Sequence, residues 1–439
     1  MTWLLSLHIA VATVSYASTH GTLTEEPQEQ TDTVCTDTAI IDAAICDTVS
    51  TEDSLTVDTL APKSDKELAL PWPLSLQADI DSIIKKSDFL RSSQLGLMVY
   101  DLTADSVLYA HGERQTLRPA STMKVLTAVT ALDKLGGAYL YKTRLRHTGS
   151  ITDSVKTLHG DLYIIGGMDP RIGADDIRSF AFSVKEGGID TISGNLYADR
   201  SMKDSDMAGE GWCWDDDNPV LSPLLYGRKD RLADRLAQAL EDAGVVLKGE
   251  KAQKTCPANA KELCTRTHTI EQVLHRMLKE SDNLYAESMF YQLGLTKGKP
   301  ATARKAKGVI EEVLRKTGLA SRPHRFADGS GLSLYNYVSA EIEVAFLRYA
   351  YENKDIYAYL YPALPIAAVD GTLDKRMHKT AAARNVHAKT GTLSGISSLA
   401  GYCTAANGHE LCFAIINQGV MRSAPAKTFQ NKICVAMCR

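Results

Sequence analysis

Three short polar motifs constrain this chain more than any other feature, because each lies where an apolar helix or strand begins or ends. Ser121 to Lys124 ("STMK") open a run of apolar residues at helical spacing that continues to Leu135. Ser281 to Asn283 ("SDN") separate two helical patterns, and Lys389 to Thr392 ("KTGT") lie in a strand pattern before a hairpin. A second Ser-x-x-Lys, "SIIK" from Ser82 to Lys85, has no such companions and is interpreted as a helix segment.

The residue types in the first two motifs fit nucleophilic serine chemistry. A serine hydroxyl such as that of Ser121 needs a neighbouring base, and Lys124 lies one helical turn away on the same face. Lys124 is a base only when uncharged, so its pKa must be lowered by burial or by another cation, for which Lys389 is the candidate. We expect Ser281 to relay a proton to a leaving amine, and Asn283 to hold either a substrate amide or Lys124.

The third motif fits the binding of a carboxylate. Lys389, with the hydroxyls of Thr390 and Thr392, can hold a substrate carboxylate by charge-assisted hydrogen bonds. The backbone N–H groups of Ser121 and Thr392 are expected to form an oxyanion hole. Gly391, between the two threonines, belongs to the same predicted substrate-binding strand.

Together the motifs match the set found in serine β-lactamases and penicillin-binding proteins. From about Leu70 to Gly419 the chain resembles the class C low-molecular-mass penicillin-binding proteins, the D-alanyl-D-alanine carboxypeptidase/endopeptidase type. Further segments carry this resemblance: "GGMDP" at 166–170, "LYADRS" at 196–201, "GWCWDD" at 211–216, "DGSGLS" at 328–333, "DGTL" at 370–373 and "KTGTLSGISSLAGY" at 389–402. It implies an α+β, serine β-lactamase/DD-transpeptidase-like fold, in which helices flank a five-stranded antiparallel sheet. It also implies a large inserted α+β module, and no metal or cofactor.

The chain is expected to have four parts. Residues 1–17 predict an export signal, because an apolar segment precedes small residues, although a short membrane anchor is the alternative. Residues 18–66 predict an acidic flexible leader, since no Lys or Arg occurs up to Pro62. The peptidase domain is assigned to 67–140 and 265–439, and the inserted module to 141–264. We therefore expect an exported, periplasmic protein, either free or loosely associated with the membrane.

Two positions depart from the family pattern, and both concern the stem-peptide pocket. Leu334 follows "DGSGLS" where the family usually has a basic residue, so we expect little preference for a carboxylated stem unless Lys203 substitutes. Met202 and Lys203 stand where the family often has an aromatic residue. Asp199 matches the acidic residue that lies near the stem amine, and is a candidate substrate-binding residue.

The nine cysteines suit an oxidising compartment. If Asn407-Gly408 forms a two-residue turn, Cys403 and Cys412 lie directly opposite each other on antiparallel strands, which predicts a disulfide. Other pairings are weaker expectations: Cys434 with Cys438, Cys256 with Cys264, and Cys35 with Cys46.

These observations predict a serine peptidase that acts on peptidoglycan stem peptides, either ending in D-Ala-D-Ala or cross-linked, and that β-lactams acylate at Ser121. A serine β-lactamase with the same centre is one alternative, and a non-catalytic peptidoglycan-binding or β-lactam-binding protein is another. With a net charge of −4, the chain gives no electrostatic reason to expect nucleic-acid binding. The balance of carboxypeptidase and endopeptidase activity and the oligomeric state are left open.

Overall fold

The computed structural model describes residues 70–213 and 218–439. The α-helices in these ranges are α1 Leu74–Lys85, α2 Met123–Leu135, α3 Ala174–Glu186, α4 Leu232–Asp242, α5 Ile270–Lys279, α6 Asn283–Leu295, α7 Ala303–Lys316, α8 Ala340–Glu352, α9 Lys354–Ala363 and α10 Ser423–Met437. The predicted export signal, the acidic leader and the Cys35–Cys46 pairing lie outside the described residues. "SIIK" falls within α1, as expected for a helix segment.

The strands in the same ranges are mostly short. They are β1 Gln94–Asp101, β2 Ser106–His111, β3 Leu140–His147, β4 Ser150–Thr152, β5 Thr157–His159, β6 Leu162–Ile165, β7 Thr191–Ile192, β8 Leu196–Asp199, β9 Leu225–Tyr226, β10 Lys229–Asp230, β11 Val246–Leu247, β12 Lys251–Gln253, β13 Lys261–Thr269, β14 His387–Leu393, β15 Ile396–Thr404 and β16 Glu410–Gln418.

The sheet that carries the third motif has five antiparallel strands in the order β14-β15-β16-β1-β2. This confirms the predicted α+β fold with a five-stranded antiparallel sheet. Seven of the eight residues of β1 are buried, because helices cover both faces of the sheet. The sheet joins the beginning of the folded chain to its end, so that β14 lies where residues from the middle of the chain can reach it.

Alternate residues of the central strands face two different cores. Met98 and Ile416 pack with the layer that contains α2, α5, α6, α7 and α8. Leu97 and Ile415 face the opposite layer, formed by α1 and α10. None of the helices in the described ranges combines the length and the hydrophobicity that a membrane span requires.

Residues between Leu140 and Thr269 add further sheets. One has the order β12-β8-β6-β3-β13 and another the order β11-β7-β5-β4, while β9 and β10 form a separate pair. Two helices of this stretch, α3 and α4, pack with Leu145 and Leu196 in a third core. The boundaries of the inserted module at 141 and 264 stay a prediction.

The hairpin between β15 and β16 corrects the predicted disulfide. Its loop has three residues, 406–408, because the Ala405 N–H donates to the His409 carbonyl and Gly408 adopts a φ of +88°. The register therefore moves by one residue, and Cys403 pairs with Leu411 instead of Cys412.

A shift of one residue reverses the face on which a side chain lies. Cys403 consequently packs on the α10 side of the sheet, whereas Cys412 packs on the α2 side. The predicted Cys403–Cys412 disulfide is wrong. The Cys403 thiol instead lies against Cys438, and this contact, with burial, raises its pKa. All seven described cysteines are free thiols, so the structure joins neither Cys256 to Cys264 nor Cys434 to Cys438.

Candidate active site

The first motif lies at the start of α2, as the sequence predicts. A short 3-10 turn, Ala120–Thr122, leads into the helix, and Ala120 is held at a φ of +50°. From the first turn of α2, the Lys124 Nζ contacts the Ser121 Oγ at 3.0 Å. The same nitrogen donates to the Asn283 Oδ1 at 2.7 Å and to the Ser330 carbonyl at 2.8 Å.

These three contacts suit a lysine that acts as a base. An ammonium group has three N–H donors, and Lys124 has three acceptors around it. When the group loses a proton, two N–H bonds can remain on the carbonyl oxygens of Asn283 and Ser330, which cannot donate. The lone pair then faces the Ser121 hydroxyl, which is the only partner of the three that carries a proton to give.

Burial supplies the lowered pKa that the sequence required. Lys124 is fully buried, and this desolvation lowers its pKa from 10.5 to about 8, against the charges of Asp328, Glu287 and Asp282. Of the two causes expected for Lys124, burial is therefore the effective one. The pKa of Lys389 also lies well below its ordinary value, because of burial first and then the charge of Lys124.

The second motif joins the other two. Ser281 lies between α5 and α6 with a φ of +60°, a conformation that non-glycine residues adopt rarely and that often marks functional sites. Its Oγ accepts a hydrogen bond of 2.8 Å from the Lys389 Nζ. Since Asn283 contacts Lys124 at the same time, the three motifs converge on one site, as their residue types predict.

The third motif runs along β14 beside Ser121. The Thr390 hydroxyl donates to Thr372, a residue of the "DGTL" segment, at 2.8 Å, and Thr392 is exposed. A Cβ atom at Gly391 would lie 2.0 Å from the Ser398 Oγ and 3.0 Å from the Ser121 nitrogen. A glycine is therefore needed for β14 to approach the nucleophile this closely.

The "DGSGLS" segment forms a tight turn that supports Lys124. The Asp328 carboxylate accepts hydrogen bonds from the backbone N–H groups of Gly331 and Ser333 and from the Trp212 indole, at 2.7–2.8 Å. Gly331 has a φ of +78°, and a Cβ there would meet the Ala120 carbonyl at 1.8 Å. Sequence reasoning missed the role of Ser330, because the contact to Lys124 comes from a backbone carbonyl and leaves no side-chain signal.

Asp199 is not brought into contact with these groups. It lies at the end of β8, is 3% exposed, and accepts the backbone N–H groups of Ser201 and Cys256, both at 2.8 Å. Lys203 is not available either, since its side chain is fully buried, bonded to Asp204 at 2.6 Å and packed over the Tyr291 ring. Lys203 therefore cannot replace the basic residue that is absent at Leu334.

Two arginines that the sequence did not single out lie beside the motifs. Arg118, three residues before Ser121, donates from Nε to the Leu334 carbonyl at 2.9 Å. Arg228 reaches both carboxylate oxygens of Asp282, at 3.1 and 2.9 Å, from the turn between β9 and β10. No motif contains either residue, so only the folded chain reveals these positions.

Fold and site together define a class: a serine acyl-transfer enzyme, with a lysine-activated nucleophile beside an antiparallel sheet. The chain matches the profile of the D-Ala-D-Ala carboxypeptidase 3 (S13) family over residues 76–224 and 228–438. It belongs to this family, and the resemblance inferred from the sequence is confirmed. The chain is accordingly a serine peptidase.

Named relatives agree with this assignment. A D-alanyl-D-alanine carboxypeptidase of Actinomadura sp. (strain R39) is 28% identical, over 82% of this chain and 84% of the relative. D-alanyl-D-alanine carboxypeptidase DacB of Haemophilus influenzae is 25% identical, over 79% of this chain and 90% of the relative. The crystal structure of penicillin binding protein 4 from H. influenzae covers 81% of this chain and 98% of its own, with a TM-score of 0.75 and 22% identity.

A further solved structure shares the fold at greater distance. Bd3459, described as a predatory peptidoglycan endopeptidase from Bdellovibrio bacteriovorus, covers 78% of this chain and 92% of its own. The TM-score is 0.54 and the sequence identity 19%.

Proposed function

We propose that this chain cleaves peptidoglycan stem peptides as a serine D-Ala-D-Ala carboxypeptidase and endopeptidase, through an acyl-enzyme at Ser121. One observation carries the proposal: the buried Lys124 Nζ lies 3.0 Å from the Ser121 Oγ, with its other two contacts on fixed carbonyl oxygens. Membership of the D-Ala-D-Ala carboxypeptidase 3 family supports the choice of substrate.

Substrate binding begins at β14. Lys389, with the Thr390 and Thr392 hydroxyls, would hold the terminal carboxylate of the peptide. In the free enzyme, burial and the charge of Lys124 keep the pKa of Lys389 low. A bound carboxylate favours the charged form of Lys389, so we expect this lysine to take up a proton when substrate binds.

Acylation then uses the contacts around Ser121. Lys124 takes the hydroxyl proton as the Ser121 Oγ attacks the carbonyl carbon, and the N–H groups of Ser121 and Thr392 stabilise the oxyanion. The carbon–nitrogen bond breaks when Ser281 gives a proton to the leaving amine. Lys389, at 2.8 Å from the Ser281 Oγ, restores that proton. In a second step a water oxygen bonds to the acyl carbon as the carbon–Ser121 Oγ bond breaks. Lys124 returns its proton to the Ser121 Oγ, one proton of the water passes to solvent, and the shortened peptide leaves.

A β-lactam amide would be attacked in the same way, but its leaving nitrogen stays attached to the acyl group after the ring opens.

We also propose that Asp199 binds the stem amine, a role that requires its carboxylate to accept a further donor. We further propose a periplasmic location, which rests on the export signal predicted for residues 1–17, outside the described residues.

Release of D-alanine from a peptide that ends in D-Ala-D-Ala tests this function. Wild-type protein should release it, while Ser121→Ala should release none and Ser82→Ala should match the wild type. A cross-linked muropeptide as substrate measures the endopeptidase activity separately. Rapid hydrolysis of penicillin without release of D-alanine would favour the β-lactamase alternative.

A further inference from the structure

Glu287 is a buried carboxyl group that has no role in the mechanism described above. It lies on α6 four residues after Asn283, so both side chains are on the same face of the helix. Glu287 is 1% exposed. Its Oε1 accepts the backbone N–H of Gly329 at 3.1 Å and that of Ser330 at 2.8 Å.

Those N–H groups belong to the turn that contacts Lys124. The peptide group between Gly329 and Ser330 is held at both ends, since its N–H donates to Glu287 and its carbonyl accepts the Thr127 hydroxyl at 2.7 Å. The next peptide group presents its carbonyl, that of Ser330, to the Lys124 Nζ at 2.8 Å. Glu287 thus anchors the peptide group immediately before the one that orients the base.

We propose that Glu287 is a positioning residue for acylation, which directs the lone pair of Lys124 onto Ser121 by fixing the turn at Ser330. The inference rests on the proposed function, since Lys124 must be the base. Among the described residues, the Glu287 carboxyl accepts hydrogen bonds from the two backbone N–H groups and makes none with Ser121. It is therefore placed to act through Lys124.

The charge of Glu287 adds a second effect that can be measured. Burial and the charge of Asp328 raise the pKa of Glu287 itself from 4.5 to about 8, so this charge develops over the same pH range in which Lys124 titrates. Four ionisable groups face Lys124: Glu287, Asp328 and Asp282, whose charges raise its pKa, and Lys389, whose own pKa the charge of Lys124 lowers. Removing the ionisable group of Glu287 should lower the pKa of Lys124. Because Glu287 is mostly uncharged well below pH 8, the lower part of the acid limb should stay in place, and the approach to the plateau near pH 8 should move to lower pH.

The test compares two conservative variants by the rate of penicillin acylation per active site. Glu287→Gln keeps an acceptor oxygen at the same reach, so its limiting rate should stay within about threefold of wild type. Glu287→Asp keeps the charge but withdraws the oxygen by one methylene group, and its rate should fall at least about tenfold. In Glu287→Gln the approach of the rate to its plateau near pH 8 should also move to lower pH.

Glu343→Gln is the matched control. Glu343 is equally buried, burial raises its pKa to about 8, and it accepts the Thr122 hydroxyl beside the nucleophile. It is not among the groups that shift the pKa of Lys124. The whole pH profile, including the approach to the plateau near pH 8, should stay in place in this variant even if the variant is less stable.

A loss smaller than tenfold in Glu287→Asp, or a loss in Glu287→Gln as large as that in Glu287→Asp, would overturn the inference. So would an approach to the plateau near pH 8 that is unchanged in Glu287→Gln. Rates per active site separate these outcomes from misfolding, which lowers only the number of sites that become labelled. If wild-type protein is not acylated at Ser121, the proposed function itself fails, independently of the Glu287 variants.

Discussion

The acylation rate should depend on pH as the titration of Lys124 dictates. Burial lowers the pKa of Lys124 from 10.5 to about 8. At pH 7 this leaves about one tenth of the molecules with an uncharged base, compared with about 0.03% at the ordinary pKa, a gain of about 300-fold or ~3.4 kcal/mol. The rate of acylation should therefore rise about 50-fold between pH 6 and pH 8 and then level off.

Stopped-flow labelling with a fluorescent penicillin below saturation measures this rate. Circular dichroism at each pH ensures that unfolding does not imitate the acid limb. An ordinary lysine pKa would instead give a rate that still climbs above pH 9. A flat profile between pH 6 and pH 9 would refute the assignment of Lys124 as the titrating base.

Three further predictions concern single substitutions. Ser281→Ala should leave penicillin affinity within about threefold of the wild-type value but slow acylation about 100-fold, because the proton path to the leaving nitrogen is cut. Pre-steady-state kinetics measure affinity and acylation rate separately. Asp328→Asn should turn an amide N–H₂ toward two N–H donors, either those of Ser333 and Trp212 or those of Gly331 and Asn336. The free energy of unfolding, measured in urea, should fall by about 2–6 kcal/mol. Arg118→Ala should abolish the preference for stem peptides that carry a side-chain carboxylate, since Leu334 offers no charge. The measurement is the ratio of kcat/KM for substrates with and without that carboxylate, and a ratio equal to that of wild type would exclude Arg118 as the carboxylate-binding residue.

The sequence predicted the convergence of the catalytic motifs because each one combines a reactive residue type with a recognisable structural context. Ser121 and Lys124 are one helical turn apart, and this local geometry needs no tertiary information. The resemblance to the penicillin-binding proteins, which these motifs carry, implied the five-stranded antiparallel sheet. The contacts of Asn283 with Lys124 and of Ser281 with Lys389 follow from this arrangement.

Other features depend on tertiary contacts or on backbone geometry that residue types do not encode. The loop at Asn407-Gly408 has one residue more than the two-residue turn that this dipeptide favours, and the difference moved Cys403 to the other face. The Ser330 carbonyl and the anchoring role of Glu287 appear only when α6 packs against the turn. The sequence offered Lys203 as a substitute for the basic residue absent at Leu334, yet in the folded chain its side chain is buried and paired with Asp204.

The most direct test of the account is to locate the acyl group after treatment with penicillin. Mass spectrometry of peptides from the treated protein should find one ligand mass on the peptide that contains Ser121, and none on the peptide that contains Ser82. Ser121→Ala and Lys124→Ala should carry no adduct. An adduct that persists in Ser121→Ala, or one located at another residue of the wild-type protein, would contradict the proposed nucleophile and the mechanism built on it.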